Sequence, residues 1–485
     1  MPLKRLLLNQ RFIVAVVYIC GMIMNSLDST IVNVALATLA RDFDVEPTEI
    51  QSVVIAYLVS LAVFIPISGW LGDRFGTKRT FMLALFLFTG ASALCGMAQT
   101  LEQLTFFRVL QGAGGGLLTP VGMAMLYRTF PPEERVGVSR ILMFATILGP
   151  AFGPIVGGLM IEHLSWHWAF YVNVPVGTFA LLVGYFLLHE HKEEGAGTFD
   201  LRGFLLAGVG FATFMYALSE GPSKGWLSPL ILVCGGIGIV VLLVFVWHEI
   251  RIPHPMIQLG LLKNRLFRST LSTSFFGSAG FLGILFLTPL FLQEARGLSP
   301  LESGLATMPE AIGVLVSTQF VARIYPRIGP RRLMFTGMMI VMVTALLMTT
   351  INEDTNIWIV RLLMFVVGLG MAYIFIPNSA ASLATISREA TGRATTIMSV
   401  QRQVGGALGI AVLSSILAWM GATELVNGVL QPNLDGYRLA YAGSAMFALI
   451  GGFFALRVPD ADAAATMVTI PRRKRPSRIQ RQSNV

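Results

Sequence analysis

The chain has 485 residues, of which 54% are apolar and only 13% charged, and its mean hydropathy is +0.70. Soluble globular proteins carry roughly 25% charged residues, so an ordinary soluble enzyme is excluded. A net charge of +9 would suggest nucleic acid in a soluble chain; here the placement of the charges decides their meaning.

Apolar runs near the ~20 residues of a bilayer-spanning helix recur along almost the whole chain. In order they predict fourteen spans, at about 12–40, 48–70, 79–98, 101–127, 137–160, 169–188, 201–219, 228–247, 268–292, 302–323, 333–351, 356–377, 394–419 and 437–456. The first follows Lys4, Arg5 and Arg11 and is far longer than a signal-peptide core, so it is read as retained. With the N-terminus in the cytoplasm, 28 of the 35 Lys and Arg fall inside and four outside (Arg41, Lys224, Arg296, Arg438), the remaining three lying in or at the edge of spans. By the positive-inside rule both termini are then cytoplasmic. The basic run Arg472 to Arg481 reads as a tail resting on anionic lipid headgroups, not as a nucleic-acid site. Cys20, Cys95 and Cys234 all fall in apolar spans, so no disulfide framework, metal site or cofactor follows.

The loop after the second span, Gly69 to Arg79, recurs after the tenth. Arg74, Gly76, Lys78 and Arg79 match Arg327, Gly329, Arg331 and Arg332 at a constant offset of 253. Internal repeats of this kind are common in transporters. They predict an all-α polytopic membrane protein with two pseudo-symmetric six-helix halves, 1–190 and 266–457. Between them, 191–265 would supply a linker and two inserted helices of peripheral packing role and no intramembrane charge. Residues 458–485 form the basic tail.

Four segments carry a family resemblance: Leu27 to Leu36 in the first span, Gly69 to Arg79, Arg108 to Gly114 in the fourth, and Gly149 to Gly158 in the fifth. Trp166 to Gly177, leading into the sixth span, adds to them. Together they resemble the major facilitator superfamily, and within it the fourteen-span drug:proton antiporter branch, from about Asn25 to Arg457. The resemblance implies a bundle that rocks between inward- and outward-open states, with inward proton flow driving export of diverse, often cationic and lipophilic compounds.

Each segment must be able to carry its implied role. Asp28 lies near mid-span, where an ionised carboxylate is costly unless it faces a cavity or a partner; proton coupling suits it, and a hydrogen bond to a neighbouring helix is the structural alternative. Arg108 is its cationic counterpart, for proton coupling or for snorkelling to the surface. Gly112, Gly114, Gly115 and Gly116 read as a close helix contact; no Walker spacing follows them, so ATP hydrolysis is unsupported. Gly72, Asp73, Arg74, Gly76 and Arg79 form a candidate gate, with simple positive-inside anchoring as the alternative. In the second copy Pro326 replaces Asp73, making the gate asymmetric. Gly149, Gly153 and Gly157 recur every fourth residue, with Gly158 beside them, and allow backbones to approach. Pro150 and Pro154 interrupt the hydrogen-bond ladder. The resemblance associates this segment with exporters and so implies an antiporter motif, with plain helix packing as the alternative.

Glu310, after Pro309 in the tenth span, is the second intramembrane acid and a second proton-coupling candidate. Its titration matters energetically. One proton exchanged for one monovalent cation gains about 1.4 kcal/mol per pH unit; two protons per cation add about 2.3 kcal/mol at 100 mV. Arg402 could pair with Glu310, with a loop, or snorkel. Asn33, Phe281, Met308, Tyr373 and Arg402 are candidate cavity residues, Met and Phe being adaptable linings.

The expected protein is a proton-driven multidrug exporter of a bacterial cytoplasmic membrane, not an enzyme. Its partners are a small-molecule substrate, protons and membrane lipids, with a periplasmic adaptor as a candidate where an outer membrane exists. A same-fold transporter of a dedicated lipid, siderophore or metabolite is the alternative.

Overall fold

The computed structural model describes residues 10–45, 49–192, 197–421, 423–426 and 429–467; Lys4, Arg5 and the basic run 472–481 lie outside them. Helices stand at all fourteen predicted positions. In order they are α1 (Gln10–Asp42), the broken pair α2 (Gln51–Phe64) and α3 (Ser68–Phe75), α4 (Thr77–Cys95), α5 (Leu101–Thr129), α6 (Arg135–His163) and α7 (Asn173–Leu187). There follow α8 (Leu201–Lys224), α9 (Pro229–Arg251), α10 (Arg265–Leu290), the stacked pair α11 (Pro300–Thr307) and α12 (Pro309–Ile328), α13 (Pro330–Met348), α14 (Ile357–Ser382), α15 (Thr391–Met420) and α16 (Leu434–Ala455). Among the described residues, twelve segments are long and apolar enough to cross a membrane, and α2 with α3, bent by 53°, makes a thirteenth. The remaining position is α6, whose 29 residues extend about 43 Å at 1.5 Å per residue. A short antiparallel hairpin, β1 (Thr423–Val426) with β2 (Val429–Pro432), pairs Thr423 with Pro432 in the α15–α16 connection.

Without water, every backbone donor and acceptor of a span must be satisfied within it, and several first turns are capped by side chains. Thr100 accepts from the Gln103 N–H, Asn264 from Phe267, Asn356 from Trp358, and Ser299 forms a capping box with Glu302. The α2–α3 bend falls at Pro66, which cannot donate to the ladder.

The sequence repeat has a structural counterpart. Gly76 ends α3 at φ 99° and Gly329 ends α12 at φ 83°, conformations that favour glycine. Each turn leads into a helix whose first N–H groups meet a carboxylate from beyond the last helix of its group. Glu190 accepts from the N–H of Lys78 at 2.9 Å and of Arg79 at 3.1 Å, and Asp460 accepts from the N–H of Arg331 at 2.9 Å. Lys78 and Arg331 are 253 residues apart, the offset of the repeat.

The inserted pair divides in its packing. Helix α9 packs chiefly on α8, whereas α8 lies against both α2 and α15, on the seam between the first and last groups of helices. Trp226, just past α8, donates its indole N–H to Ser415 Oγ of α15 at 2.7 Å. Thus α9 has the expected peripheral place and α8 does not. Both helices also run beyond the predicted spans and carry acids in their closing turns: Glu220 pairs with Lys224 at 2.7 Å, and Glu249 is buried against the Ile257 N–H. The apolar count ended these spans at the charges; the backbone continues through them.

The α1–α6 contact is the tightest test of the small-residue reading. A Cβ on Gly149 would collide with Ser26, including its backbone, and one on Gly153 with Thr30 Oγ1; beside Gly158 there is open space. Ser26 donates to Thr146 O at 2.9 Å and Thr30 to Gly149 O at 3.2 Å. The backbone of α6 is helical through Pro150 and Pro154, whose side chains lie outside the described residues. Gly149→Val is expected to lower stability by about 3 kcal/mol, and Gly158→Ala to be neutral or stabilising by up to about 1 kcal/mol, both read from thermal unfolding of the purified protein in detergent.

Candidate functional site

Two charged clusters lie at opposite ends of α5. The first surrounds Asp28, in α1, and Arg108, seven residues into α5. Their side chains are 0% and 1% exposed, and Arg108 Nη1 lies 2.5 Å from Asp28 Oδ2. Two charges so placed are tolerable only because each meets the other and the remaining lone pairs and protons are used. Gln111, one turn after Arg108 on the same face, donates to Asp28 Oδ1 at 2.7 Å and accepts from Arg108 Nη1 at 2.7 Å. Asn173, at the start of α7, donates to Asp28 Oδ1 at 3.3 Å and to Ser92 Oγ of α4 at 3.1 Å. Ser92 also accepts from Gln111 and donates to Phe170 O. The Arg108 Nε donates to Val53 O, and its guanidinium lies 4.1 Å from the centre of the Tyr57 ring. From there Tyr57 donates to Asn25 Oδ1, and Asn25 to Thr119 Oγ1 at 3.3 Å.

The glycines behind Arg108 make this approach possible. Gly112 and Gly116 face the α2 backbone at Tyr57 O and Leu61 O, and Gly114 faces α4 at Phe88 N, close contacts rather than a phosphate loop.

The second cluster closes the basic end, where α3, α5 and α15 meet. Asp73 Oδ1 lies 2.9 Å from Arg128 Nη2 of α5, and Asp73 Oδ2 lies 3.4 Å from Arg393 Nε of α15. Arg128 Nη1 donates to Thr77 Oγ1, and Arg388 donates to Arg128 O at 2.7 Å. Around these charges Ser68 and Thr396 hydroxyls meet at 3.0 Å, Thr395 donates to Pro120 O, and Tyr127 donates to Ser379 O at 2.8 Å. Gly69 lies against Thr396, and Gly392 near Asp73 and Arg128. Of the other motif residues, Gly72 ends in open space, Arg74 is exposed, Gly76 makes the turn and Arg79 lies 3.8 Å from Glu190.

Glu310 stands apart from both clusters. It is in the first turn of α12, just after the Met308 joint, is 3% exposed, and its Oε1 has no hydrogen-bond partner among the described residues. Its backbone carbonyl abuts Gly368 of α14. Arg402 forms no ion pair with it among the described residues and lies within electrostatic range of the phenols of Tyr18 and Tyr127. The remaining cavity candidates are not gathered around Arg402: Phe281 is buried in the core of the last six helices, Tyr373 lies at the α13–α14 contact beside Gly337, and Met308 joins α11 to α12. The Asn33 side chain lies outside the described residues. No group of three or more His, Cys, Asp or Glu suited to a metal occurs among the described residues.

Sequence reasoning passed over Gln111, Asn173, Ser92, Arg128 and Arg393. Gln111 and Asn173 stand inside motif segments and carried a signal, a polar residue at helical spacing from Arg108 or at a span's start. Arg128 and Arg393 were hidden among the loop cations that set sidedness.

The family model of the Major Facilitator Superfamily matches residues 18–410 and 311–479. A relative from Mycobacterium tuberculosis described as "Multidrug resistance protein B homolog" is 32% identical over 83% of this chain and 75% of its own. One from Klebsiella pneumoniae described as "Putative multidrug resistance protein MdtD" is 30% identical over 91% of this chain and 93% of its own. Among solved structures, the human organic anion transporter MFSD10 (TETRAN) superposes with a TM-score of 0.66 at 14% identity, over 92% of this chain and 99% of that one.

Removing one partner of a buried ion pair strands the other charge, at about 3 to 5 kcal/mol. Arg108→Gln is expected to destabilise by that amount at pH 8, and the double variant Asp28→Asn with Arg108→Gln to recover most of it, both measured by thermal unfolding in detergent.

Proposed function

The chain belongs to the Major Facilitator Superfamily, and on that premise we propose that it is a proton-coupled antiporter that exports lipophilic, drug-like compounds by alternating access. It is a multi-pass membrane transporter and not an enzyme. The observation that carries the antiport reading is the buried Asp28–Arg108 pair with its surrounding amides. A purely structural contact between α1 and α5 has no need of a full charge in each helix, since Asn or Ser holds helices together at lower cost. A carboxylate whose counter-ion sits beside it can instead alternate: paired with Arg108 when deprotonated, and neutral when a proton takes the place of that partner.

In this scheme the two six-helix halves, 1–190 and 266–457, rock about the seam, and the basic end faces the cytoplasm. The Asp73–Arg128–Arg393 cluster is the cytoplasmic gate, which puts the described conformation in a state closed to that side. Because Pro326 occupies the position equivalent to Asp73, the gate is a single device supplied by the first half and met by Arg393 of the second. Glu310 serves as the second proton site: an unpartnered buried carboxylate is stable in its neutral form, and its place at the break between α11 and α12 resembles the discontinuous helices that line transport paths. Both relatives carry multidrug-resistance descriptions, which supports an exported drug-like substrate over a dedicated lipid, siderophore or metabolite.

Two outcomes are expected. In proteoliposomes with an imposed pH gradient, a panel of cationic, neutral and acidic lipophilic dyes should include at least one that the wild type moves against its gradient, with coupled movement lost in Asp28→Asn and its stoichiometry reduced in Glu310→Gln. Coupling equal to wild type in Asp28→Asn would refute the scheme. For the gate, Asp73→Asn leaves Arg128 and Arg393 facing one another. Spin labels at exposed Phe75 and Glu389 should then show a second, longer distance population in pulsed electron resonance.

A further inference from the structure

The polar groups around Asp28 and those around Arg402 are satisfied very differently. Around Asp28 the donors and acceptors close on one another. On α15, by contrast, Arg402 has no hydrogen-bond or ion-pair partner among the described residues, and Ser399, one turn earlier on the same face, is buried with its Oγ unpartnered. That face turns across the seam, since Thr395 one turn earlier again donates to Pro120 O of α5 at 3.1 Å. The ionisable groups whose charge would act on Arg402 are Tyr18 of α1 and Tyr127 of α5, both buried and both from the first six helices. Tyr127 spends its hydroxyl hydrogen on Ser379 O; Tyr18 makes no hydrogen bond among the described residues.

Snorkelling does not account for Arg402. It lies eleven residues into α15, about 16 Å along the axis from the basic end, is partly buried, and has the buried phenols of Tyr18 and Tyr127 as its nearby ionisable groups. No carboxylate among the described residues pairs with it. A guanidinium, a serine hydroxyl and a phenol can all donate and carry no negative charge among them, and a guanidinium fork suits carboxylate or phosphate oxygens. Tyr18 and Tyr127 also belong to one apolar cluster with Met22, Met125 and Met398, adaptable walls for a non-polar body. We infer that Arg402, with Ser399 and Tyr18, binds an acidic group on the transported compound, so that the substrate is an amphipathic organic anion and not a lipophilic cation.

This rests on the transporter reading above and names the charge of its substrate. A cation entering the same space would meet an uncompensated like charge, so the site also selects against the cationic class that the family resemblance implies.

The test is equilibrium binding to the full-length protein in neutral detergent, without any pH gradient. The probes are three fluorescent compounds sharing one apolar body and ending in a carboxylate, its methyl ester or a quaternary ammonium. Wild type should bind the carboxylate about tenfold or more tightly than the ester and the ammonium most weakly. Arg402→Gln should abolish that preference and Arg402→Lys retain part of it, while both keep the wild-type affinity for the ester, which verifies their folding. Equal binding of acid and ester by wild type, tighter binding of the ammonium, or an unchanged preference in Arg402→Gln would each overturn the assignment, the first two without reliance on any variant. Failure here leaves proton coupling at Asp28 intact, and failure of coupling in Asp28→Asn proteoliposomes leaves the binding preference intact, so the two readings are separable.

Discussion

The structure depends on one balance: a carboxylate and a guanidinium held together where neither can be hydrated. Asp28 and Arg108 lie in α1 and α5, and each is tolerable only while the other is present. Everything around them serves that constraint. The glycines of α5 bring α2 and α4 close enough to exclude water, Gln111 and Asn173 occupy the remaining carboxylate lone pairs, and the Tyr57 ring covers the guanidinium. A pair so enclosed can change state only by exchanging a proton or by moving its helices, and a transporter needs those two events to be linked.

Helix α5 supplies a physical basis for the link. Arg108 and Arg128 are twenty residues apart on it, about 30 Å along the axis. One end thus holds the buried pair and the other holds Asp73, which also meets Arg393 of α15. A tilt of α5 would alter both ends at once. The last six helices contribute differently: two of their ionisable groups, Glu310 and Arg402, have no hydrogen-bond or ion-pair partner among the described residues. On this account the Asp28 pair of the first half stores and releases one proton, Glu310 of the second half carries the other, and Arg402 meets what is carried. Electrostatics then sets the driving force. A proton exchanged for a monocation moves no net charge, whereas a proton exchanged for a monoanion moves two and adds the membrane potential to the pH gradient.

What could be read in the sequence followed physical scale. Apolar length located all fourteen helices, because hydrocarbon thickness imposes it residue by residue. Asp28, Arg108 and Glu310 were legible because a charge within an apolar run is an exception wherever it occurs. The partners of those charges were not. Asn173 reaches Asp28 from 145 residues away and Arg393 reaches Asp73 from 320, distances that periodicity does not bridge. Arg128 and Arg393 looked like loop cations, and the positive-inside count absorbed them. The place of α8 at the seam was hidden for the same reason: its composition says that it meets lipid or helices and not which ones.

The central claim is that Asp28 trades its proton against substrate. The most direct measurement is proton exchange on substrate binding, followed with a pH-indicator dye in weakly buffered detergent solution, for wild type and Asp28→Asn. The account predicts that substrate binding releases protons from the wild type and that this release falls by about one proton per transporter in Asp28→Asn, while the variant still binds substrate. Equal proton release from both proteins at saturating substrate would contradict it.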